Sequence, residues 1–115
     1  MKNDDLSCPQ NLSDLGKRAH KAIMSVLEKH NMTYTGGCKA FYSPTEWKDR
    51  GESYGVTSEL VVVYDGGDVQ HFFSLDACYG DGPSYTLYER MKEALEAEGL
   101  YWEECTRWYC ALYEG

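Results

Sequence analysis

The last third of the chain carries carboxylates interleaved with aromatic rings, two residue types suited to binding a charged partner. Glu89, Glu93 and Glu96 recur at spacings of four and three residues, so in a helix they share one face. The neighbouring candidates for partner binding are Tyr85, Tyr88, Tyr101, Trp102, Glu103 and Glu104. Carboxylates spaced in this way can imitate a phosphate backbone, and the rings can occupy base-stacking sites. The simpler alternative is a solvated helix face with ion pairs to Arg90 and Lys92.

The net charge of −8 is confined to the second half of the chain. Residues 1–58 hold seven acids and eight Lys or Arg, whereas residues 59–115 hold twelve acids and three Lys or Arg. Such a field repels nucleic acid and anionic membranes and attracts basic proteins. We therefore predict a basic protein surface as the partner, with neither direct nucleic-acid binding nor membrane binding. The ten Tyr and three Trp exceed what a small core can bury, which indicates either Tyr hydroxyls that reach solvent from half-buried strands or an aromatic binding face.

Cysteine offers the other route to chemistry, and the five cysteines are Cys8, Cys38, Cys78, Cys105 and Cys110. A nucleophilic thiol needs a nearby base or positive charge. Cys38, between Gly37 and Lys39, is the one we expect in an exposed turn, so a cysteine-dependent enzyme using Cys38 is one alternative. A small, half-buried Cys38 is the simpler interpretation. The sequence contains no C-x-x-C or H-x-x-x-H pair, and we predict no metal ion and no cofactor.

The remaining acids and the glycine-rich loop give weaker signals. Asp65 and Asp68 are predicted turn residues rather than a general acid and base. Residues 80–84 precede a helix but match no phosphate-binding motif, and Asp76 and Asp81 would oppose a phosphate there.

The N-terminus leads into no apolar segment typical of a secretory signal, and no apolar run approaches the roughly 20 residues of a membrane span. Together with the odd number of cysteines, this predicts reduced thiols and a cytoplasmic location.

The elements that must position these residues follow from periodicity and capping signals. We predict a flexible arm over residues 1–12 and one α+β domain over residues 13–115. Its predicted elements, in order, are a helix over 14–30 capped at Ser13, a strand near 38–42, a short helix over 44–50 carrying Trp47, a β-hairpin over 59–75, a helix over 84–98 and a strand over 100–113. This order predicts a two-layer fold, with an antiparallel sheet of about four strands and both long helices on one face.

The helix–strand–strand–strand–helix order resembles a double-stranded RNA-binding domain, a family that presents a lysine-rich second helix. This chain departs from that pattern because it carries Glu89, Glu93 and Glu96 there. The runs Lys39-Ala-Phe-Tyr-Ser-Pro-Thr-Glu-Trp47 and Glu104-Cys-Thr-Arg-Trp-Tyr109 resemble stretches of small uncharacterised bacterial and phage proteins. In size, charge and aromatic content the chain is similar to phage inhibitors of host defence, anti-CRISPR proteins among them. That likeness implies a defence protein as the partner.

The functional prediction is therefore a non-enzymatic, acidic protein-binding module that blocks a nucleic-acid-binding or defence protein. One alternative is a small-molecule or cation-binding domain, with an aromatic and carboxylate pocket between the hairpin and the second long helix. The cysteine enzyme using Cys38 is another. Homodimerisation through an unpaired edge of the last strand is a further alternative.

Overall fold

In the part of the chain that the structure describes, four antiparallel strands form one open sheet, in which the fourth strand of the sequence lies between the second and the third and the first lies at the other end beside the second. The computed structural model describes residues 4–35, 37–64, 67–73 and 82–115. After a 3-10 turn at Asp4–Leu6, the helices are α1 (Asp14–Lys29), α2 (Pro44–Asp49), α3 (Gln70–Phe73) and α4 (Gly82–Glu96). The strands are β1 (Phe41–Tyr42), β2 (Leu60–Val63), β3 (Leu100–Glu104) and β4 (Tyr109–Glu114). The predicted fold class, a small α+β domain with one antiparallel sheet, is confirmed.

Local signals in the sequence account for α1. The hydroxyl of Ser13 accepts a hydrogen bond from the backbone N–H of Gly16 at 3.0 Å, which caps the first turn. Ala19, Ile23 and Leu27 recur at spacings of four and bury one stripe of the helix. The helix ends at His30, so the predicted boundaries hold to within one residue.

The short helix α2 begins with the predicted capping box. The Ser43 hydroxyl accepts from the Glu46 N–H at 3.1 Å, and the Glu46 carboxylate accepts from the Ser43 N–H at 3.1 Å. Pro44 occupies the first helical position, where its missing N–H costs nothing. This cap aims Trp47 at the sheet, where its side chain is fully buried.

The predicted hairpin over 59–75 is wrong in its second half. Its first strand exists as β2, but residues 70–73 form the helical turn α3. Backbone N–H groups of His71 and Phe72 donate to the carbonyls of Asp68 and Val69, at 3.2 and 3.0 Å. A strand would send Phe72 and Phe73 to opposite faces, whereas this turn buries both in one core. Packing therefore overrides the β propensity of this segment. Asp65 lies outside the described residues.

The fourth strand comes instead from the end of the chain. Residues 100–113, predicted as one strand with a bend at Glu103 and Glu104, form the hairpin β3–β4. The chain reverses between Cys105 and Trp108, where the N–H groups of Cys105 and Thr106 both donate to the Tyr109 carbonyl. No Gly, Pro, Asn or Asp marks this turn in the sequence.

The sheet has an apolar core on both faces. Alternate residues of β2 point in opposite directions. Leu60 and Val62 join the larger core beneath α1, α3 and α4. Val61 and Val63 join a smaller cluster with Trp47 on the other face, beneath α2. Both long helices thus share one face, as predicted, and α2 covers the other.

The N-terminal segment lies against this core. Leu6 and Leu12 are buried, and the Ala40 N–H donates to the Asp5 carbonyl at 2.8 Å. His20 is half-buried, and its Nε2 lies 2.9 Å from the Leu6 carbonyl oxygen. Asp5, Leu6 and Leu12 therefore contact the domain, and the flexible arm over residues 1–12 stays a prediction.

Candidate functional site

The strand β3 lies at one edge of the sheet and presents aromatic side chains there. Trp102 points toward the long helices, where its ring meets the rings of Phe73 and Tyr88 at centroid distances of 5.0 and 5.1 Å. Its Nε1–H donates to the Phe73 carbonyl at 3.2 Å. The next residue back, Tyr101, packs beside Tyr113 on the other face, at 5.8 Å between centroids. Trp102 is therefore held in one orientation by both packing and a hydrogen bond.

A groove runs between α4 and β3, and we call it the α4–β3 groove. Tyr88, Lys92 and Glu96 follow at intervals of four residues on α4, so their side chains lie on the same side of the helix. The lining of the groove consists of Tyr88, Lys92, Glu96, Leu100, Tyr101 and Trp102, and the volume of the groove is about 80 Å³. The groove thus combines two aromatic rings with one carboxylate and one ammonium.

The predicted acidic face of the second long helix is present on α4, and it extends from the α4–β3 groove toward α1. Glu96 lines the α4–β3 groove. Glu93 lies on the side of α1 and forms an exposed ion pair with Arg90 at 2.9 Å. Glu89 is half-buried. At the end of the helix, Arg18 pairs with the Glu98 carboxylate at 3.0 Å and also donates to the Glu98 carbonyl. Two of the helix acids thus have cationic partners from the chain itself.

The sheet separates the two acids of β3. Opposite strand residues share a face, and Glu103 pairs with Ala111 while Glu104 pairs with Cys110. Because Cys110 belongs to the core beneath the long helices, Glu104 projects toward the helix side and Glu103 toward the α2 side. Both side chains are exposed.

Of the predicted partner-binding residues, the structure therefore brings together Tyr88, Glu96 and Trp102, and Tyr101 also lines the groove although its ring packs on the other face of the sheet. Glu93 and Glu103 lie away from this group, on the α1 side and the α2 side respectively. The Tyr85 side chain lies outside the described part of the structure. Sequence reasoning missed Leu100 and Lys92 as lining residues. The spacing of Lys92, four residues from both Tyr88 and Glu96, was the available signal.

A second aromatic cluster, on the α2 face, already holds cations from the chain itself. The Arg50 guanidinium lies over the Tyr42 and Trp47 rings, at 5.2 and 4.7 Å from their centroids. The Lys39 ammonium lies 4.6 Å from the Tyr42 centroid and pairs with Glu46 at 3.0 Å. These contacts occupy ring faces that an external cation would otherwise use.

Three of the described cysteines have thiols with a raised pKa. Burial raises the pKa of the Cys8 thiol, while Lys17 acts in the opposite direction. Burial and the charge of Glu103 raise the pKa of Cys105, and complete burial raises that of Cys110 well above its ordinary value. A raised pKa keeps a thiol protonated and unreactive near neutral pH.

Cys38, the predicted candidate for catalysis, is half-buried rather than fully exposed. Its thiol donates to the Thr35 carbonyl at 3.4 Å. Cys8, Cys105 and Cys110 are present as thiols, and Cys78 lies outside the described residues.

Over residues 4–35, 37–64, 67–73 and 82–115, no group of three or more His, Cys, Asp or Glu is arranged to hold a metal ion. The predicted turn residue Asp68 accepts a hydrogen bond from the Tyr34 N–H at 3.0 Å. Asp76 and Asp81 fall outside the described ranges. None of the described helices has the length and apolar character needed to cross a membrane.

The geometry defines a small α+β domain with an aromatic, acidic groove beside a sheet edge. Comparison of the chain with protein-family models, with curated proteins and with solved structures found no match.

Proposed function

We propose that this protein is a non-enzymatic binding module that holds a basic protein partner at the α4–β3 groove. One observation carries the proposal: the edge strand and α4 bring Tyr88, Trp102 and Glu96 together around a single depression. Aromatic rings beside a carboxylate attract an ammonium or guanidinium group through cation–π and ionic contacts. The excess of twelve acids over three Lys or Arg in residues 59–115 adds a field that draws in basic partners.

The size of the groove favours a protein side chain over a free ligand. Sites for small molecules usually enclose about 300–1,000 Å³. The volume of about 80 Å³ is well below that range and suits the end of one Lys or Arg side chain. The small-molecule or cation-binding alternative therefore narrows to a simple amine or guanidinium compound at the same groove.

The narrower proposal of a nucleic-acid mimic rests on Glu89, Glu93 and Glu96. In that version the partner is a nucleic-acid-binding or defence protein in the cytoplasm, and this chain inhibits it in the manner of an anti-CRISPR protein. The ion pair of Glu93 with Arg90 and the half-buried position of Glu89 give this version less support than binding at the groove. The cysteine-enzyme alternative gains no support from the contact of Cys38 with Thr35.

The test is capture of partners from a cell lysate by the immobilised protein, identification of the retained protein, and measurement of its Kd for variants. We expect Glu96→Lys to weaken binding about tenfold or more, a loss of at least about 1.4 kcal/mol. Lys92→Gln should strengthen binding, because it removes the ammonium that competes with a basic partner. The matched control is Glu28→Lys, an exposed acid on α1 that leaves the groove intact.

Salt and competitors separate the versions of the proposal. Raising ionic strength should weaken capture, since exposed charge pairs are screened. Displacement by duplex DNA would support the mimic, and displacement by arginine alone would support a small-cation site. Equal Kd values for Glu96→Lys and Glu28→Lys would refute the groove as the binding site.

A further inference from the structure

The hydrogen-bond register of β3 determines which backbone groups face its outer edge. The Gly115 N–H donates to the Gly99 carbonyl at 2.8 Å, and the Cys105 N–H donates to the Tyr109 carbonyl at 3.1 Å. In an antiparallel pair, residues that exchange hydrogen bonds alternate with residues whose N–H and C=O point away. Leu100 and Trp102, which lie between the bonded positions, therefore turn their backbone groups away from β4.

Within the described parts of the chain, β3 has a strand neighbour on one side alone, since the sheet order ends β4-β3. An edge strand with outward N–H and C=O groups is a template for pairing with another strand. The α4–β3 groove runs beside this edge and includes Leu100 and Trp102 in its lining. A chain that paired with β3 would therefore have its side chains at the groove.

We infer that the partner contributes an extended basic segment that adds to β3 as a fifth strand of the sheet. This inference rests on the proposed function and specifies how the groove is used. Directly opposite residues of paired strands share a face. The partner residue opposite Trp102 therefore points to the helix side, where Glu96 and the rings of Tyr88 and Trp102 can receive a Lys or Arg side chain.

The α2 side of the sheet determines which type of residue the partner would carry next to the one in the groove. Successive residues of a strand alternate in direction. A residue adjacent to the one in the groove thus points to the α2 side, where Glu103 is exposed. Two consecutive basic residues, one for Glu96 and one for Glu103, are the motif that this edge fits.

Charge also decides between a basic partner and a second copy of the chain. Edge-to-edge pairing of two copies would bring two sets of the same exposed acids, Glu103 and Glu104, along one junction. Like charges on neighbouring strands are destabilising, whereas a basic segment offsets the acids. The edge is therefore suited to a basic strand and disfavours self-association.

The experiment uses a synthetic nine-residue peptide of Thr and Val with a central Arg-Arg pair. Two further peptides have the same sequence and the same charge. One carries N-methyl groups on its odd-numbered backbone amides, and the other carries them on its even-numbered backbone amides. Only one set of amides can face β3, so we expect one methylated peptide to lose about tenfold or more in affinity and the other to stay within about twofold of the parent. Binding of the parent should also slow hydrogen exchange of the Leu100 and Trp102 amides.

The outcomes distinguish this inference from the proposed function. If both methylated peptides bind as well as the parent while Glu96→Lys still weakens binding, the groove binds basic side chains but strand addition is wrong. If the parent does not bind at about 1 mM, or if binding is unaffected by both Glu96→Lys and Glu103→Lys, the inference is overturned. Concentration-dependent dimerisation that protects the Leu100 and Trp102 amides without peptide would assign the edge to a second copy instead.

Discussion

At the scale of single residues, the functional proposal depends on Trp102 serving two purposes. Its ring packs against the core, and its Nε1–H is fixed by the Phe73 carbonyl. The same ring forms a wall of the α4–β3 groove. Because the ring is held in place before a partner arrives, binding there needs little ordering of the wall and loses less side-chain entropy.

Gly16 is a second residue whose type is determined by its neighbour. A Cβ at this helical position would overlap the carbonyl oxygen of Glu59 at the start of β2. Gly→Ala in a helix ordinarily stabilises by about 1 kcal/mol. Here we expect Gly16→Ala to destabilise by about 1–3 kcal/mol, because the backbone of Glu59 must move.

The measurement is the free energy of unfolding of Gly16→Ala in urea. Ser25→Ala, on an exposed part of the same helix, is the matched control and should be neutral or slightly stabilising. A Gly16→Ala variant as stable as the wild type would show that α1 can separate from β2 at no cost.

At the scale of elements, the capping box of α2 links stability to pH. Partial burial raises the pKa of the Glu46 carboxyl, but hydrogen bonds from the Ser43 N–H and the Lys39 ammonium outweigh it, and the pKa lies below its ordinary value of 4.5. A carboxyl with a lowered folded-state pKa contributes stability above its unfolded pKa and loses that contribution as pH falls through the folded value.

We predict that Glu46→Gln destabilises the protein at pH 7 and that this difference shrinks as the pH falls from 4.5 through the lowered folded-state pKa, where the wild-type carboxyl becomes protonated. Gln still satisfies a capping box, so the variant removes the charge and keeps the hydrogen bond. Urea denaturation at pH 7 and pH 3 measures the effect, and Glu28→Gln controls for the loss of an exposed carboxylate. A difference that is the same at both pH values would contradict the linkage.

At the scale of the whole molecule, stability depends on burial on both faces of the sheet rather than on surface charge. The pair between Arg18 and Glu98 joins α1 to the end of α4, yet both side chains are exposed. Such pairs contribute about 0–1 kcal/mol. Trp47, by contrast, is fully buried among Val61, Val63 and Tyr109.

We therefore expect Trp47→Ala to cost about 3–5 kcal/mol, a large part of the stability of a small domain. Circular dichroism during urea unfolding measures it without relying on tryptophan fluorescence. Tyr54→Ala, at a ring that is 63% exposed, should change the free energy of unfolding by less than about 0.5 kcal/mol. Similar costs for the two variants would mean that the α2 face is not a core.

The elements predicted correctly are those whose signals are local. Ser13 and its apolar stripe mark α1, and the Ser43–Glu46 box marks α2, because capping hydrogen bonds span three residues. Gly99 follows the end of α4 with a positive φ of 76°, a conformation typical of a glycine that stops a helix. The apolar run of β2 was equally clear, since a strand buried on both faces has no polar alternation.

The elements predicted wrongly are those that distant contacts decide. Phe72 and Phe73 suit a strand by propensity, but both are buried as a helical turn against the core. The β3–β4 turn at Cys105–Trp108 lacks the usual turn residues, so one strand was predicted where two exist.

The sequence alone determined the chemistry available to this protein: an acidic second half, rings at Tyr88, Tyr101 and Trp102, and carboxylates at Glu96 and Glu103. Only the tertiary structure decided which of these residues meet. Sheet order placed β3 at an edge beside α4, and strand alternation sent Glu103 to the opposite face from Trp102. The physical reason is that side-chain type is a local property, whereas the neighbours of a side chain depend on strand pairings and helix packing between distant parts of the chain.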